Sequence, residues 1–108
     1  MTTLRRRLSK DESRMRYREL RKLWNEFDPI WVLQEADLET DDEYEFYIGP
    51  VMRLLENEAS QEEIFEYVRV VVTSNMARKW SDSMIADTER FVTRCREWYR
   101  TRWPATFV

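Results

Sequence analysis

The chain has 108 residues, a formal net charge of −3 and no histidine. This is the size of one domain, so we expect a single helical domain over residues 1–108. Without histidine the chain lacks the commonest general base near neutral pH and the commonest metal ligand, which argues against an enzyme. One glycine and three prolines are too few for a turn-rich all-β fold.

The charges are unevenly distributed along the chain. Residues 1–22 carry a net charge of +6, residues 23–69 carry −12, and residues 70–108 carry +3. A block of like charge repels itself, so the acidic middle indicates either a solvated surface or a cationic partner. The same block would repel nucleic acid, which disfavours that partner despite the basic N-terminal region. We expect residues 1–8 to form a flexible basic arm.

Cysteine usage and hydropathy bear on the cellular location. The single Cys95 cannot form an internal disulfide, and the N-terminal residues show no apolar signal segment. Apolar runs such as Val70 to Val72 are far shorter than the ~20 residues of a membrane span. These features predict a cytoplasmic protein without membrane contact.

The first predicted helix covers residues 10–27. Ser9 and Glu12 have the spacing of a capping box, in which each side chain accepts from the other residue's backbone N–H. The apolar residues that follow recur at helical spacing: Leu20, Leu23, Trp24 and Phe27. Asp28-Pro29 ends the helix because the residue before a proline is disfavoured in the α region. Asp28 is then predicted to cap a short helical turn that begins at Pro29.

The second predicted helix covers residues 41–57. Thr40 and Glu43 form another capping-box pattern, so we expect Glu43 to serve that cap. One apolar stripe keeps helical phase across Gly49-Pro50: Tyr44, Tyr47, Ile48, Val51, Leu54 and Leu55. Proline inside a helix removes one hydrogen bond, so we predict a single helix kinked at Pro50.

Two further helices complete the predicted fold. Ser60 and Glu63 indicate a helix over residues 61–77, and Ser81 or Ser83 caps a last helix over residues 82–102. Cys95 falls on the apolar stripe of the last helix and is expected to be a buried small hydrophobe. The sequence therefore predicts a compact four-helix, all-α domain with neighbouring antiparallel pairs.

Carboxylates are concentrated where the predicted helices begin. There the helix dipole stabilises each carboxylate by about 0.3–1 kcal/mol. A role at helix starts therefore explains these carboxylates without catalysis. The alternating acids Asp37, Glu39 and Asp41 lack the glycine that calcium-binding loops use for their sharp turn. We therefore predict no catalytic, cofactor or metal site.

Two motifs carry a resemblance to a known family. They read Trp24-x-x-Phe27-Asp28-Pro29-Ile30-x-Val32 and Asp42-Glu43-Tyr44-Glu45-x-Tyr47-Ile48-Gly49-Pro50. Residues 20–77 resemble a small bacterial all-helical family of unknown function with Trp-Asp-Pro-Ile-Gly-Val and Asp-Glu-Tyr-Asp-x-Tyr motifs. This chain departs from the first motif at Phe27 and Trp31. Some members resemble immunity proteins of polymorphic toxins, so the resemblance implies a non-catalytic role in immunity.

The first functional hypothesis is an immunity protein, or antitoxin, that neutralises a cognate toxin domain. A toxin with a cationic active-site cleft would be complementary to the acidic middle segment, and such complementarity speeds association. The predicted contact residues comprise six carboxylates and two aromatic anchors: Glu35, Asp37, Glu39, Asp41, Asp42 and Glu45, with Trp31 and Tyr44.

The alternative hypothesis is a non-enzymatic scaffold or self-associating regulator. In a homodimer of that kind, the basic first helix of one copy would contact the acidic face of another. The sequence leaves both hypotheses open.

Overall fold

A computed structural model describes residues 6–30 and 42–107, and most of these residues are helical. The helices are α1 at Lys10–Phe27, α2 at Glu45–Glu56, α3 at Gln61–Val70 and α4 at Asp82–Arg102. Helix α1 packs against α2 and α4, and α3 packs against α4. Within the described residues, the predicted all-α class and the four helices are confirmed.

The capping box predicted for α1 is present. The Ser9 hydroxyl accepts from the Glu12 N–H at 3.1 Å, and the Glu12 carboxylate accepts from the Ser9 N–H at 3.1 Å. At the other end Asp28 adopts a left-handed conformation with φ 42°, and its N–H donates to the Trp24 carbonyl at 2.9 Å. Asp28 is thus the C-cap of α1; the turn predicted to begin at Pro29 continues beyond the described residues, so its capping by Asp28 stays a prediction.

The two ends of the described chain pair with each other. Strand β1 at Arg6–Arg7 runs parallel to β2 at Thr106–Phe107, and the Arg6 N–H donates to the Ala105 carbonyl at 2.7 Å. Leu8, next to β1, is only 7% exposed. The expected flexible arm therefore does not include residues 6–8, because backbone pairing and burial hold them; residues 1–5 lie outside the described part.

Helix α2 begins four residues later than predicted. Its N-cap is Tyr44, whose side chain makes no capping bond, and the Glu45 N–H donates to the Asp42 carbonyl at 3.1 Å in the preceding turn. Glu43 thus precedes the helix and does not occupy its third position. Pro50 lies inside α2, so the prediction of one helix through this proline is confirmed. The bend at Pro50 stays a prediction.

Helix α3 starts at Gln61, as predicted, but its α-helical part ends at Val70. The Ser60 hydroxyl accepts from the Glu63 N–H at 3.1 Å, which confirms this cap. A π-helical turn at Val71–Asn75 follows α3, where the sequence predicted continuous helix to residue 77.

The π-helical turn follows from local hydrogen bonding. The Thr73 hydroxyl donates to the Arg69 carbonyl at 2.8 Å and so competes with the backbone for that acceptor. The Met76 N–H reaches back five residues to the Val71 carbonyl at 3.0 Å. Ala77, with φ 52°, then ends the helical segment.

Helix α4 has the predicted bounds, and Ser81 is the cap: its hydroxyl accepts from the Met84 N–H at 3.3 Å. Trp24 of α1 is fully buried in the core, and its ring centroid lies 4.7 Å from that of Phe91 on α4. Cys95 is buried, as predicted, and burial raises the pKa of its thiol. The contact between Trp24 and Phe91 packs α1 against α4.

A carboxylate on α1 holds the end of α4. Glu19 accepts from the indole N–H groups of Trp98 at 2.9 Å and Trp103 at 3.0 Å. The Arg102 guanidinium donates to the same carboxylate, with Nη2 at 2.8 Å from Oε2. Three donors from one helix end thus converge on one side chain of α1.

Candidate protein-interaction site

The start of α2 is anchored to the end of α1 through Tyr44. Its hydroxyl donates to the Asp28 carboxylate and accepts from the Ile30 N–H at 3.2 Å. Its ring stacks on Trp24 with centroids 5.9 Å apart. The Asp-Pro and Asp-Glu-Tyr motifs, 14 residues apart along the chain at Ile30 and Tyr44, are therefore in direct contact.

Tyr44 is a core residue. It is 1% exposed, and burial, followed by the hydrogen bond to Asp28, raises the pKa of its hydroxyl. A side chain with no accessible surface cannot insert into a partner protein. The burial of Tyr44 does not support its prediction as an anchor for a partner. The residue instead positions the turn before α2.

Glu45 makes a two-point ion pair within the protein. Arg21 of α1 donates from Nε to Oε2 at 3.0 Å and from Nη2 to Oε1 at 3.1 Å. The bonds to Glu45 raise the pKa of Arg21, and the Arg21 guanidinium lies 5.7 Å from the Tyr17 ring centroid. Bidentate pairing of this kind is geometrically specific, so Glu45 helps to dock α2 on α1.

Two carboxylates of the same turn face solvent. Asp42 and Glu43 are both exposed. Of the eight predicted contact residues, Asp42 is thus an exposed carboxylate, Glu45 is paired with Arg21 and Tyr44 is buried. The other five lie outside the described residues: Trp31, Glu35, Asp37, Glu39 and Asp41.

The sequence analysis missed Phe46, in the first turn of α2. This ring is 85% exposed, and it touches Tyr47 edge-on with centroids 6.1 Å apart. The signal was available, because Phe46 is out of phase with the apolar stripe of α2. A large apolar side chain off the buried stripe either projects into water or meets another molecule.

Asp42, Glu43 and Phe46 together form what we call the α2-start surface. It combines one exposed aromatic ring with two exposed carboxylates on five consecutive residues of chain. Aromatic residues are enriched at the centres of protein interfaces, and rim charges there control the rate of association. The arrangement is suited to contact with a cationic protein surface.

The described residues show no cluster of three or more His, Cys, Asp or Glu side chains placed to hold a metal. None of the helices described is long and apolar enough to cross a membrane. Comparison with models of protein families, with curated proteins and with solved structures finds no match.

Proposed function

We propose that this chain is an immunity protein that binds a toxin domain through the α2-start surface. The observation that carries the proposal is the 85% exposure of Phe46 beside the exposed carboxylates of Asp42 and Glu43. The family resemblance in residues 20–77 motivates the choice of a toxin as the partner. The other predicted contact residues precede this surface in the sequence: Trp31, Glu35, Asp37, Glu39 and Asp41.

The exposure of Phe46 supports a binding role because this side chain is not part of the buried core. The buried stripe of α2 consists of other residues: Ile48, Val51, Met52 and Leu55. Burying a phenylalanine side chain is worth roughly 1.5–3 kcal/mol, which a partner with an apolar pocket would recover. One such anchor, surrounded by contacts that exclude water, often dominates the energy of an interface.

The charges define the chemistry of the partner. Residues 23–69 carry a net charge of −12, and the α2-start surface lies within that segment. A toxin that acts on nucleic acid or on a phosphorylated cofactor needs a cationic cleft to bind its substrate. An acidic surface with a central aromatic ring would fill that cleft and block it.

The test begins by identifying a toxin domain encoded beside the gene for this chain, and its readouts are then inhibition and association rate. Phe46→Ala should weaken inhibition by about thirtyfold or more, since hot-spot truncations cost at least about 2 kcal/mol. Asp42→Lys should slow association and reduce its dependence on salt. Val70→Ala, which truncates another exposed apolar side chain on α3, and Glu89→Lys on α4 serve as controls.

Two outcomes would overturn the proposal. One is that no toxin domain is encoded beside this gene, or that the wild-type chain does not inhibit it. The other is that Phe46→Ala and Asp42→Lys inhibit as well as their controls, in which case the α2-start surface is not the contact.

A second candidate function, self-association, is favoured by the charges on α1. Four exposed cations follow each other at four-residue spacing: Lys10, Arg14, Arg18 and Lys22. Like charges at this spacing repel each other along a helix, so the stripe is suited to an acidic partner surface, such as that of a second copy. Light scattering across salt concentrations distinguishes the candidates: a dimer that dissociates with salt favours self-association, and a monomer at all salt concentrations excludes it.

A further inference from the structure

The side of α2 that faces away from the core carries few polar groups. Residues spaced three, four and seven positions apart share one face of a helix, and here they form what we call the α2 outer face: Phe46, Gly49, Pro50 and Arg53. Phe46 and Arg53 are exposed, and Gly49 and Pro50 are half-buried. None of the four belongs to the buried stripe of α2.

Only one charge lies on the α2 outer face. Helix α2 has three charged residues, but Glu45 pairs with Arg21 at 3.0 Å and Glu56 pairs with Arg16 at 3.2 Å. The third, Arg53, makes no salt bridge with any residue in the ranges 6–30 and 42–107. The solvent side of a surface helix normally carries charged and polar residues. A face made of an aromatic ring, a glycine, a proline and one arginine is therefore suited to contact with another protein surface.

Gly49, in the middle of this face, lets a second backbone approach closely, because it has no side chain. Apart from its chain neighbours, one side-chain atom of the described residues lies within 4 Å of a Cβ built on Gly49: Nη1 of Arg53, at 3.7 Å. Arg53 is a long, exposed side chain, and such side chains commonly change rotamer when an interface forms. The middle of the α2 outer face can therefore be opened by moving one flexible side chain.

The order of residues along this face is self-complementary. Phe46 lies as far before the Gly49–Pro50 step as Arg53 lies after it. When two copies of α2 cross antiparallel at this step, the two-fold axis places Phe46 of each copy beside Arg53 of the other. A guanidinium over an aromatic ring is a favourable contact, and this arrangement makes it twice. A parallel crossing would instead place the two Arg53 side chains together, where like charges repel.

We propose that the α2 outer face binds a second copy of this chain by antiparallel pairing of α2 about Gly49 and Pro50. Two short helices bury less than the roughly 1,200–2,000 Å² of stable interfaces, so the dimer is transient. The inference goes beyond the proposed binding of a toxin and does not depend on it, because it concerns the chain alone. Since Phe46 belongs to both surfaces, a dimer and a toxin complex would exclude each other.

Analytical ultracentrifugation of the full chain tests the dimer. We expect a monomer–dimer equilibrium with a Kd between about 10 μM and 1 mM, in keeping with a small interface. Phe46→Ala and Arg53→Gln should each weaken dimerisation by about tenfold or more, because each removes both ring–guanidinium contacts. The matched controls Val70→Ala and Arg78→Gln change an exposed apolar side chain and an exposed cation elsewhere, and both should dimerise like wild type.

A cysteine at the two-fold axis tests the geometry. Under oxidising conditions Gly49→Cys should form a disulfide-linked dimer, because its thiol meets the same thiol of the second copy. The native Cys95 is buried and does not compete. Asn57→Cys, at the C-cap of α2, lies away from the axis and should crosslink much less.

Three results would overturn the proposal. The first is a chain that stays monomeric up to about 1 mM, above the Kd range expected for this contact. The second is a dimer that Phe46→Ala and Arg53→Gln weaken no more than their controls do. The third is equal crosslinking of Gly49→Cys and Asn57→Cys. A dimer that dissociates with salt and is weakened by Arg18→Gln on α1, but not by Phe46→Ala, would assign the contact to the cations of α1 instead.

Discussion

The indole N–H of Trp103 donates to the carboxylate of Glu19 at 3.0 Å, which joins the last residues of the helical region to the middle of α1. Trp103 is buried, and the same carboxylate also receives the Trp98 indole and the Arg102 guanidinium. Glu19 is therefore a single acceptor for three donors. Its removal leaves all of them without their partner at once.

Glu19→Ala should destabilise the protein by about 2–3 kcal/mol, because two partly buried indole N–H groups and one guanidinium lose their acceptor. Urea unfolding monitored by tryptophan fluorescence measures the change. Glu97→Ala, an exposed carboxylate on α4, is the matched control and should stay within about 0.5 kcal/mol of wild type. Equal stability of the two variants would contradict the structural role of Glu19.

Glu19 also predicts a dependence of stability on pH. Partial burial raises the pKa of its carboxyl, but hydrogen bonds from Arg102, Trp98 and Trp103 outweigh this and lower the pKa overall. A group with a lowered folded-state pKa stabilises the fold above its unfolded-state pKa, and that stability is lost as pH falls through the folded value. The advantage of wild type over Glu19→Gln should therefore shrink below about pH 4.3, the ordinary value for glutamate. A constant difference across this range would contradict the lowered pKa.

The pKa of Glu12 depends on Arg6, which lies in strand β1. A hydrogen bond from Arg6, followed by one from the Ser9 N–H, lowers the pKa of the Glu12 carboxyl to about 2. Arg6→Ala should raise this pKa towards its usual value, and NMR titration of the carboxyl carbon measures it. Arg14→Ala, which removes an exposed arginine of α1 paired with Asp11 instead, should leave the pKa of Glu12 near 2. Similar pKa values in the two variants would show that Arg6 does not hold Glu12 in solution.

Tyr44→Phe keeps the stacked ring but removes the hydroxyl that joins the two motifs. The Asp28 carboxylate and the Ile30 N–H both lose a partner, so we expect a destabilisation of about 1–3 kcal/mol. Tyr47→Phe, on the adjacent turn of α2, is the control and should change little. Thermal unfolding of the two variants side by side tests the prediction, and a neutral Tyr44→Phe would show that this hydroxyl does not hold the start of α2.

Ala77→Gly should make the protein more stable. Ala77 has φ 52°, a left-handed conformation in which glycine has no Cβ penalty, so we expect a gain of about 0.5–1 kcal/mol. Ala86→Gly, inside α4, should instead lose about 1 kcal/mol, the ordinary cost of glycine in a helix. Urea unfolding distinguishes the two signs, and a loss at both positions would contradict the left-handed conformation of Ala77.

Most of the fold was predictable because its signals are local. Ser9, Ser60 and Ser81 cap helices through residues three positions away, and the apolar stripes place the helix faces. The start of α2 was not predictable in this way, since the contact of Tyr44 with Asp28 overrides the local capping pattern at Thr40 and Glu43. The same holds for β1 and β2, whose pairing joins segments from opposite ends of the chain.

The residues of the candidate site were harder to predict from the sequence. Phe46 could have been found from its position off the apolar stripe of α2. Arg16 could also have been recognised as buried, because it lies one helical turn before Leu20 on the stripe of α1. What no local pattern could show is that its guanidinium donates to Glu56 of α2 and to the Tyr99 hydroxyl of α4. Such contacts depend on how the three helices dock.

The parallel pairing of β1 with β2 has a consequence for the order of folding. Arg6 and Thr106 are partners, yet nearly the whole chain separates them, so closing this loop has a large entropic cost until the intervening helices have docked. We therefore expect the strands to meet last, after α1 and α4 have brought their ends together. During unfolding we expect the same contact to open first, which would expose Leu8 to solvent while Trp24 and Phe91 are still packed.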